Sequence, residues 1–347
     1  MTMLATMRRA AILGGVALAA IGLSSTAFAQ KTKLTVYTAI ENEQLEPFKK
    51  AFEADNPTIE IAWVRDSTGV MTAKLIAEKD NPRADVVWGL AASSIGLMGS
   101  LGMIEPYTPS GAAALKPMFK SGKNPETWVG MDAYLAVLCF NTAEASKNKK
   151  AKPTSWADLI KPEYKGEIEI SHPATSGTAY TVIAGLVQQM GEEPAFDYLK
   201  KLHKNVTSYT RSGQAQAPNV AKGEVAIGVS FIFGFERWRH DKFPVKTAAP
   251  CEGTGFEIGG IALVKGARNK ENAKRYYDWL MSPAGQSIGA KAGSLQSPAN
   301  KTFKPDPRIP SMESVKLIKY DFEKYGKAAE RKRLIDRWTR EVESQPR

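Results

Sequence analysis

The sequence predicts an α/β protein of two lobes joined by a two-strand hinge. Three observations carry that expectation. Short β-rich segments alternate with segments of helical periodicity, the alternation runs through twice, and two long apolar stretches at 134–140 and 256–264 bracket the second run. A strand–helix–strand order implies mainly parallel sheets covered by helices on both faces.

Each element follows from local pattern. Lys33 to Thr38 alternates and is β-rich, which reads as a strand. Leu45, Phe48, Ala51 and Phe52 recur at helical spacing, and Asn56-Pro57 stops that helix. Ile59 to Val64 is the next strand, and Ser67-Thr68-Gly69 opens a helix running toward Lys79. Ala84 to Trp88 is a short buried strand, followed by a helix from Ala91 to Leu101. Pro106 to Pro125 is rich in loop signals. After the first long apolar strand come a short helix at 156–160, a strand at 167–171, helices at 176–189, 194–202 and 213–222, and strands at 225–229 and 245–248. After the second come helices at 272–281 and 283–290 and a charged helical tail from Ser314. The expected division is 30–138 with 260–347 as the first lobe and 139–259 as the second.

The N-terminus carries an export signal. Arg8 and Arg9 precede an apolar run from Ala10 to Leu23, and Ala27-Phe28-Ala29 supplies the small residues a signal peptidase reads. Cleavage is expected after Ala29, which places the mature chain in the periplasm. The apolar run is shorter than the ~20 residues a spanning helix needs. A mature chain of 318 residues is comfortable for two lobes.

The formal charge of the chain is +11. Its basic residues are scattered through helical segments, and no nucleic-acid module accompanies them, so no nucleic-acid partner is expected. The two cysteines, Cys139 and Cys251, can pair in an oxidising compartment or remain separate small residues. The three histidines have no metal-ligand spacing, and there is no nucleophile elbow, phosphate loop or zinc motif. No cofactor, no metal and no catalysis are expected, and the chain is expected to be a monomer. A secreted hydrolase on the same scaffold is the competing class, and it lacks a nucleophile–base pair.

Ligands of open α/β sheets bind beyond the carboxyl ends of strands. Small polar residues stand at those ends: Tyr37-Thr38, Ser67-Thr68, Trp88 with the Gly89-to-Ser93 segment, Thr175-Ser176-Gly177-Thr178, and Ser230-Phe231. A helix start offers free N–H groups and partial positive charge, hydroxyls add donors, and glycine admits an anion to the backbone. Two Ser/Thr-Gly helix starts facing one cleft suit an oxyanion such as phosphate, phosphonate or carboxylate. Ordinary helix capping explains the same residues. Tyr37 and Trp88 are candidates to stack on the organic part of the ligand, and Ser212 and Phe231 to line it. Glu257, on the second hinge strand, is the candidate partner of an amine or hydroxyl.

Several stretches resemble the periplasmic binding proteins of the ferric-iron and 2-aminoethylphosphonate branch. They are Leu34 to Ala39, Trp63 to Gly69, Asn81 to Ala91, Cys139 to Thr142 and Ser171 to Thr178. The second, third and fifth look most like the 2-aminoethylphosphonate-binding proteins. The resemblance implies a type 2 periplasmic-binding fold whose lobes close on a ligand, and an inner-membrane ABC permease as partner. In the iron-binding relatives the turn matching Ser176-Gly177 holds the synergistic anion. Those relatives carry adjacent tyrosine ligands after the strand matching 225–229. Here that region reads Ser230-Phe-Ile-Phe-Gly-Phe-Glu236, which argues against iron because ferric ion needs hard anionic oxygens. Tyr276-Tyr277 lies in a different, helical segment and reads as packing. Ile232 stands where the aminoethylphosphonate relatives usually have an acid. The expected ligand is a small phosphonate or phosphate compound such as 2-aminoethylphosphonate, with sugar phosphates and ferric iron as alternatives.

Overall fold

The computed structural model describes residues 31–148, 151–303, 307–309 and 311–347. The expected export signal lies outside them. The chain begins β1 (Thr32–Thr38), α1 (Asn42–Asp55), β2 (Ile59–Arg65), α2 (Thr68–Ala77), β3 (Val86–Ala91), α3 (Ala92–Ser100) and β4 (Ile104–Glu105). It continues with β5 (Val129–Asn141), α4 (Thr142–Lys147), β6 (Ile168–Ser171), α5 (Gly177–Met190), α6 (Glu192–His203), β7 (Val206–Thr210), α7 (Gln216–Lys222), β8 (Ile227–Phe231), α8 (Ile232–His240) and β9 (Val245–Ala248). It ends β10 (Phe256–Val264), α9 (Lys270–Met281), α10 (Pro283–Lys291), β11 (Ser297–Pro298), α11 (Phe322–Tyr325) and α12 (Ala328–Trp338).

The strands run in the order β2-β1-β3-β10-β5-β8-β6-β7. On one side β1 pairs parallel with β2 and β3, and β10 pairs antiparallel with β3. On the other side β6 pairs parallel with β7 and β8. β5 belongs to both. Its residues 129–135 pair with β10, and its residues 136–141 pair with β8 and β9. One strand can serve two sheets because it is thirteen residues long and buried almost throughout. Side chains alternate across a strand, so a sheet covered on both faces reads as unbroken apolar sequence.

Two sets of cores flank this crossing. Leu34, Phe48, Phe52, Trp88, Tyr276 and Tyr277 fill the first side, and Tyr180, Phe196, Leu199, Ile227 and Phe231 fill the second. Tyr277 is fixed by both lone pair and proton: its hydroxyl accepts from Val129 N at 2.9 Å and donates to Ile261 O at 2.8 Å. Tyr276 packs edge-on against Phe52 at 4.9 Å.

Four expectations need correction. The third strand runs to Ala91, three residues past Trp88. The strand expected at 225–229 lies at 227–231, and helix α8 follows it directly. Strand β7 and helix α8 went unread, because Thr207, Ser208 and Thr210 look like loop residues and Gly234 interrupts the helical pattern. The tail is not one helix from Ser314. Helix begins again at Phe322, and Tyr320, Tyr325, Leu334, Trp338 and Val342 pack into the second core. Cys139 is buried and Cys251 exposed, and both thiols are free.

Candidate functional site

The two Ser/Thr-Gly helix starts meet. β2 ends at Arg65, and α2 begins at Thr68 with Ser67 as its N-cap in extended conformation. Ser67 does not cap its own helix. Its hydroxyl donates across the gap to Thr175 O at 2.6 Å, and Gly69 N donates to the same carbonyl at 3.1 Å. A Cβ on Gly69 would lie 2.6 Å from Ala174 O and Thr175 O, so only glycine permits this approach. Facing it, β6 leads through His172 to Thr175 into α5, where the Ser176 hydroxyl accepts from Ala179 N at 3.4 Å. A Cβ on Gly177 would sit 3.0 Å from the Thr68 Cβ.

Not every donor at these starts is available. The Gly69 amide is taken by Thr175 O. The amides of Thr68, Gly177 and Thr178 and the hydroxyls of Thr68 and Thr178 have no partner among the described residues. They converge on a cleft lined by Ser67, Thr68, Ser176, Gly177, Thr178, Ser212, Gly213, Gln214 and Phe231, together with Glu41, Gln44, Arg65, Tyr134, Phe233 and Gln296. Its atom-free space is about 570 Å³ with the open mouth included.

A third turn closes over the start of α5. A Cβ on Gly213 would lie 2.1 Å from Thr178 Oγ1 and 3.2 Å from Ser176 Oγ. Ser230, at the end of β8, donates its hydroxyl to Gly213 O and pins the turn there. Arg65 supplies the cation. Its Nε donates to Ile40 O at 3.0 Å and one terminal nitrogen to Glu41 Oε2 at 2.9 Å. Burial raises the Glu41 carboxyl above its ordinary range, with Arg65 and Arg237 opposing the rise. The opposite wall is aromatic: Tyr134 packs edge-on against Phe231 at 4.3 Å and against Phe233 at 5.6 Å.

The expected residues divide into two groups. Ser67, Thr68, Ser176, Gly177, Thr178, Ser212 and Phe231 line the cleft. Thr175 lies between the two helix starts and does not line it. Its carbonyl bridges them, and its hydroxyl donates to Arg211 O at 2.8 Å. Thr38 is buried with its hydroxyl accepting from Ile40 N at 3.1 Å. Tyr37 points into the core beside α2 and donates to Glu78 at 2.9 Å. Trp88 sits mid-strand in the first core, 4.7 Å from Phe48, because β3 runs on to Ala91. Stacking on a ligand is therefore closed to both rings. Glu257 is wholly buried and accepts from Ser93 Oγ at 2.5 Å and from Ile258 N at 2.9 Å. Burial raises its carboxyl to about 7 against those hydrogen bonds. It is an interior acid behind the crossing strands, away from the cleft lining.

Sequence reading missed Glu41, Gln44, Arg65, Tyr134, Gly213, Gln214, Phe233 and Gln296. Arg65 was findable, since it is a cation at a strand end beside the Ser67 turn. Gln44 and Gln296 carry no local signal, because chain separation this large is bridged only by the fold.

Two α/β halves sharing strand β5, with a donor-lined cleft beside it, define a receptor for a small solute. The chain belongs to the bacterial extracellular solute-binding protein family, whose model matches residues 81–324. Its fold is the type 2 periplasmic-binding fold, and it is a periplasmic solute-binding protein of an ABC importer. It is 40% identical over 331 residues to an uncharacterised protein of Haemophilus influenzae, covering 94% of this chain and 95% of that one. It superposes with a TM-score of 0.87 and 38% identity on the periplasmic binding protein AfuA of Actinobacillus pleuropneumoniae, solved with exogenous fructose-6-phosphate bound; 91% of this chain and all of that chain are covered. A putative 2-aminoethylphosphonate-binding periplasmic protein of Salmonella typhi is 25% identical over 281 residues, 75% of this chain and 76% of that one. Among the described residues no helix is long and apolar enough to cross a membrane.

Proposed function

We propose that the cleft captures a small phosphate monoester, a sugar phosphate in the first place, and presents it to the permease. The observation that carries this reading is the apposition of two helix starts with unpartnered amides and hydroxyls. Such groups favour a multivalent oxyanion, and the partial positive charges of both helices add to them. Arg65 adds formal charge from the end of β2. The likeness to AfuA, over nearly the whole chain, supports a sugar phosphate.

2-Aminoethylphosphonate, which the family resemblance first suggested, needs an acid for its ammonium group. Among the lining residues that acid is Glu41, and Arg65 already holds it. Glu257 is out of reach. The aromatic wall and the amides of Gln44, Gln214 and Gln296 suit a hydroxylated carbon skeleton better.

In this reading the halves are lobes divided along β5, where its pairing passes from β10 to β8, and they close around the ester. Contacts made across the cleft accompany closure: Ser67 to Thr175, Arg211 to Asp66 at 2.7 Å, and Arg237 to Glu43. Titration calorimetry with fructose-6-phosphate, inorganic phosphate, 2-aminoethylphosphonate and ferric citrate tests the proposal. Micromolar or tighter binding of the sugar phosphate is expected, about −8 kcal/mol or better. An absence of heat with every phosphorus compound overturns it.

A further inference from the structure

Gln214 stands out in the cleft. Both polar atoms of its side-chain amide are sealed from solvent, and neither has a hydrogen-bond partner. Two other glutamines nearby are satisfied. Gln216, two residues on, donates to Val229 O at 2.5 Å and accepts from Thr210 Oγ1 at 3.1 Å. Gln296, on the cleft wall, donates to Asp132 at 3.4 Å and accepts from Ser294 at 3.0 Å. A buried amide left unpaired is costly and uncommon in native structures, and such a group asks for a partner that comes from elsewhere.

The fold makes room for this amide. Gly234, in the first turn of α8, faces it, and a Cβ there would lie 1.6 Å from Gln214 Oε1. Gln214 directly follows Gly213, the residue pressed onto Thr178 at the start of α5. The amide therefore stands beside the start of α5, packed against the Gly234 backbone and with no hydrogen-bonding group of the protein opposite it. The wall around it includes Phe231, Phe233 and Tyr134.

We propose that Gln214 is the specificity-determining residue of the cleft, and that it reads a hydroxyl on the carbon skeleton attached to the phosphate. The inference rests on the phosphate-ester reading above and deepens it. A side-chain amide offers a donor and an acceptor together. A hydroxyl satisfies both. An ammonium group only donates and a second anion only accepts, so either leaves half of the amide unpaired. Aromatic rings meet the C–H face of a sugar while the amide meets its hydroxyl edge. The ligand class that fits is a phosphate ester of a polyhydroxylated compound.

The test compares wild type, Gln214→Leu and Gly234→Ala by calorimetry with fructose-6-phosphate, methyl phosphate and inorganic phosphate. Gln214→Leu keeps the bulk and removes the amide. Gly234→Ala leaves Gln214 in the sequence and displaces its amide; alanine is the better helix former, so α8 is not weakened. Both variants are expected to weaken fructose-6-phosphate about tenfold or more, and to leave methyl phosphate and inorganic phosphate within about twofold. Thermal unfolding accompanies each titration, and Gly234→Ala decides the matter where Gln214→Leu does not fold. Equal weakening of all three ligands, or no weakening of fructose-6-phosphate, overturns the role of Gln214 and leaves the phosphate-ester reading standing. A wild-type protein that prefers methyl phosphate to the sugar ester also overturns it. No binding of any phosphate by wild type overturns the phosphate-ester reading itself and the inference with it.

Discussion

Glu257 shows how a residue is placed by the face it occupies. It lies on a strand buried almost throughout, so sequence alternation does not say which face meets the cleft. The structure turns it toward Ser93 on α3 and toward the buried Arg331 guanidinium. Desolvation raises its carboxyl to about 7, above the ordinary value of 4.5. The folded state therefore binds a proton that the unfolded chain has released, and stability falls as pH rises from about 4.5 through about 7. A shift of this size corresponds to about 3 kcal/mol across that window. Glu257→Gln removes the proton. Thermal unfolding of the variant is expected to lose this part of the pH dependence, so that its midpoint gains on wild type between pH 5 and pH 8. Asp132, also raised to about 7, is present in both proteins and cancels. A constant difference at all pH values refutes the account.

The helices α2 and α5 are each ordinary, and their function comes from facing each other. Each start was legible as Ser/Thr-Gly after a strand. Their contact was not, because Ser67 and Thr175 are 108 residues apart and only the packed fold brings them together. The loop before α7 completes the arrangement, and it left no motif. Gly213→Ala is the probe for it, since the added methyl would overlap the Thr178 hydroxyl at 2.1 Å. The expected result is a loss of phosphate-ester affinity of about tenfold or more with little change in unfolding temperature, because the strain falls on a turn outside the hydrophobic cores. Unchanged affinity shows that the turn has room to shift. At the other end, α12 joins the second core through Leu334 and Trp338, and Arg333 and Arg337 pair with Glu192 and Glu193 at the start of α6. In the sequence those basic residues belong only to a charged helical tail. The structure makes them the clasp of the tail.

Across the whole molecule, two halves share long strands and touch again across the cleft. Bending of the shared strands is the expected route of closure, since hinge motion concentrates at a few connecting residues. Gly69 permits the tight apposition of Thr175, so Gly69→Leu is expected to hold the halves apart. Small-angle scattering checks this. Wild type is expected to contract on adding the phosphate ester, while the variant keeps the larger radius of gyration with and without it. Contraction of the variant to the wild-type value refutes the role of Gly69.

Local sequence determined the alternation of strands and helices, the two long apolar strands and the two polar helix starts. These depend on side-chain period and capping within a few residues, which the chain carries wherever it folds. The tertiary structure alone decided which polar residues share a space. It sent Tyr37, Trp88 and Glu257 inward because both faces of the sheets are covered, and it brought Arg65, Gln214 and Gln296 to the cleft from distant parts of the chain. Burial and long-range contact are properties of the packed whole, and no short stretch of sequence encodes them.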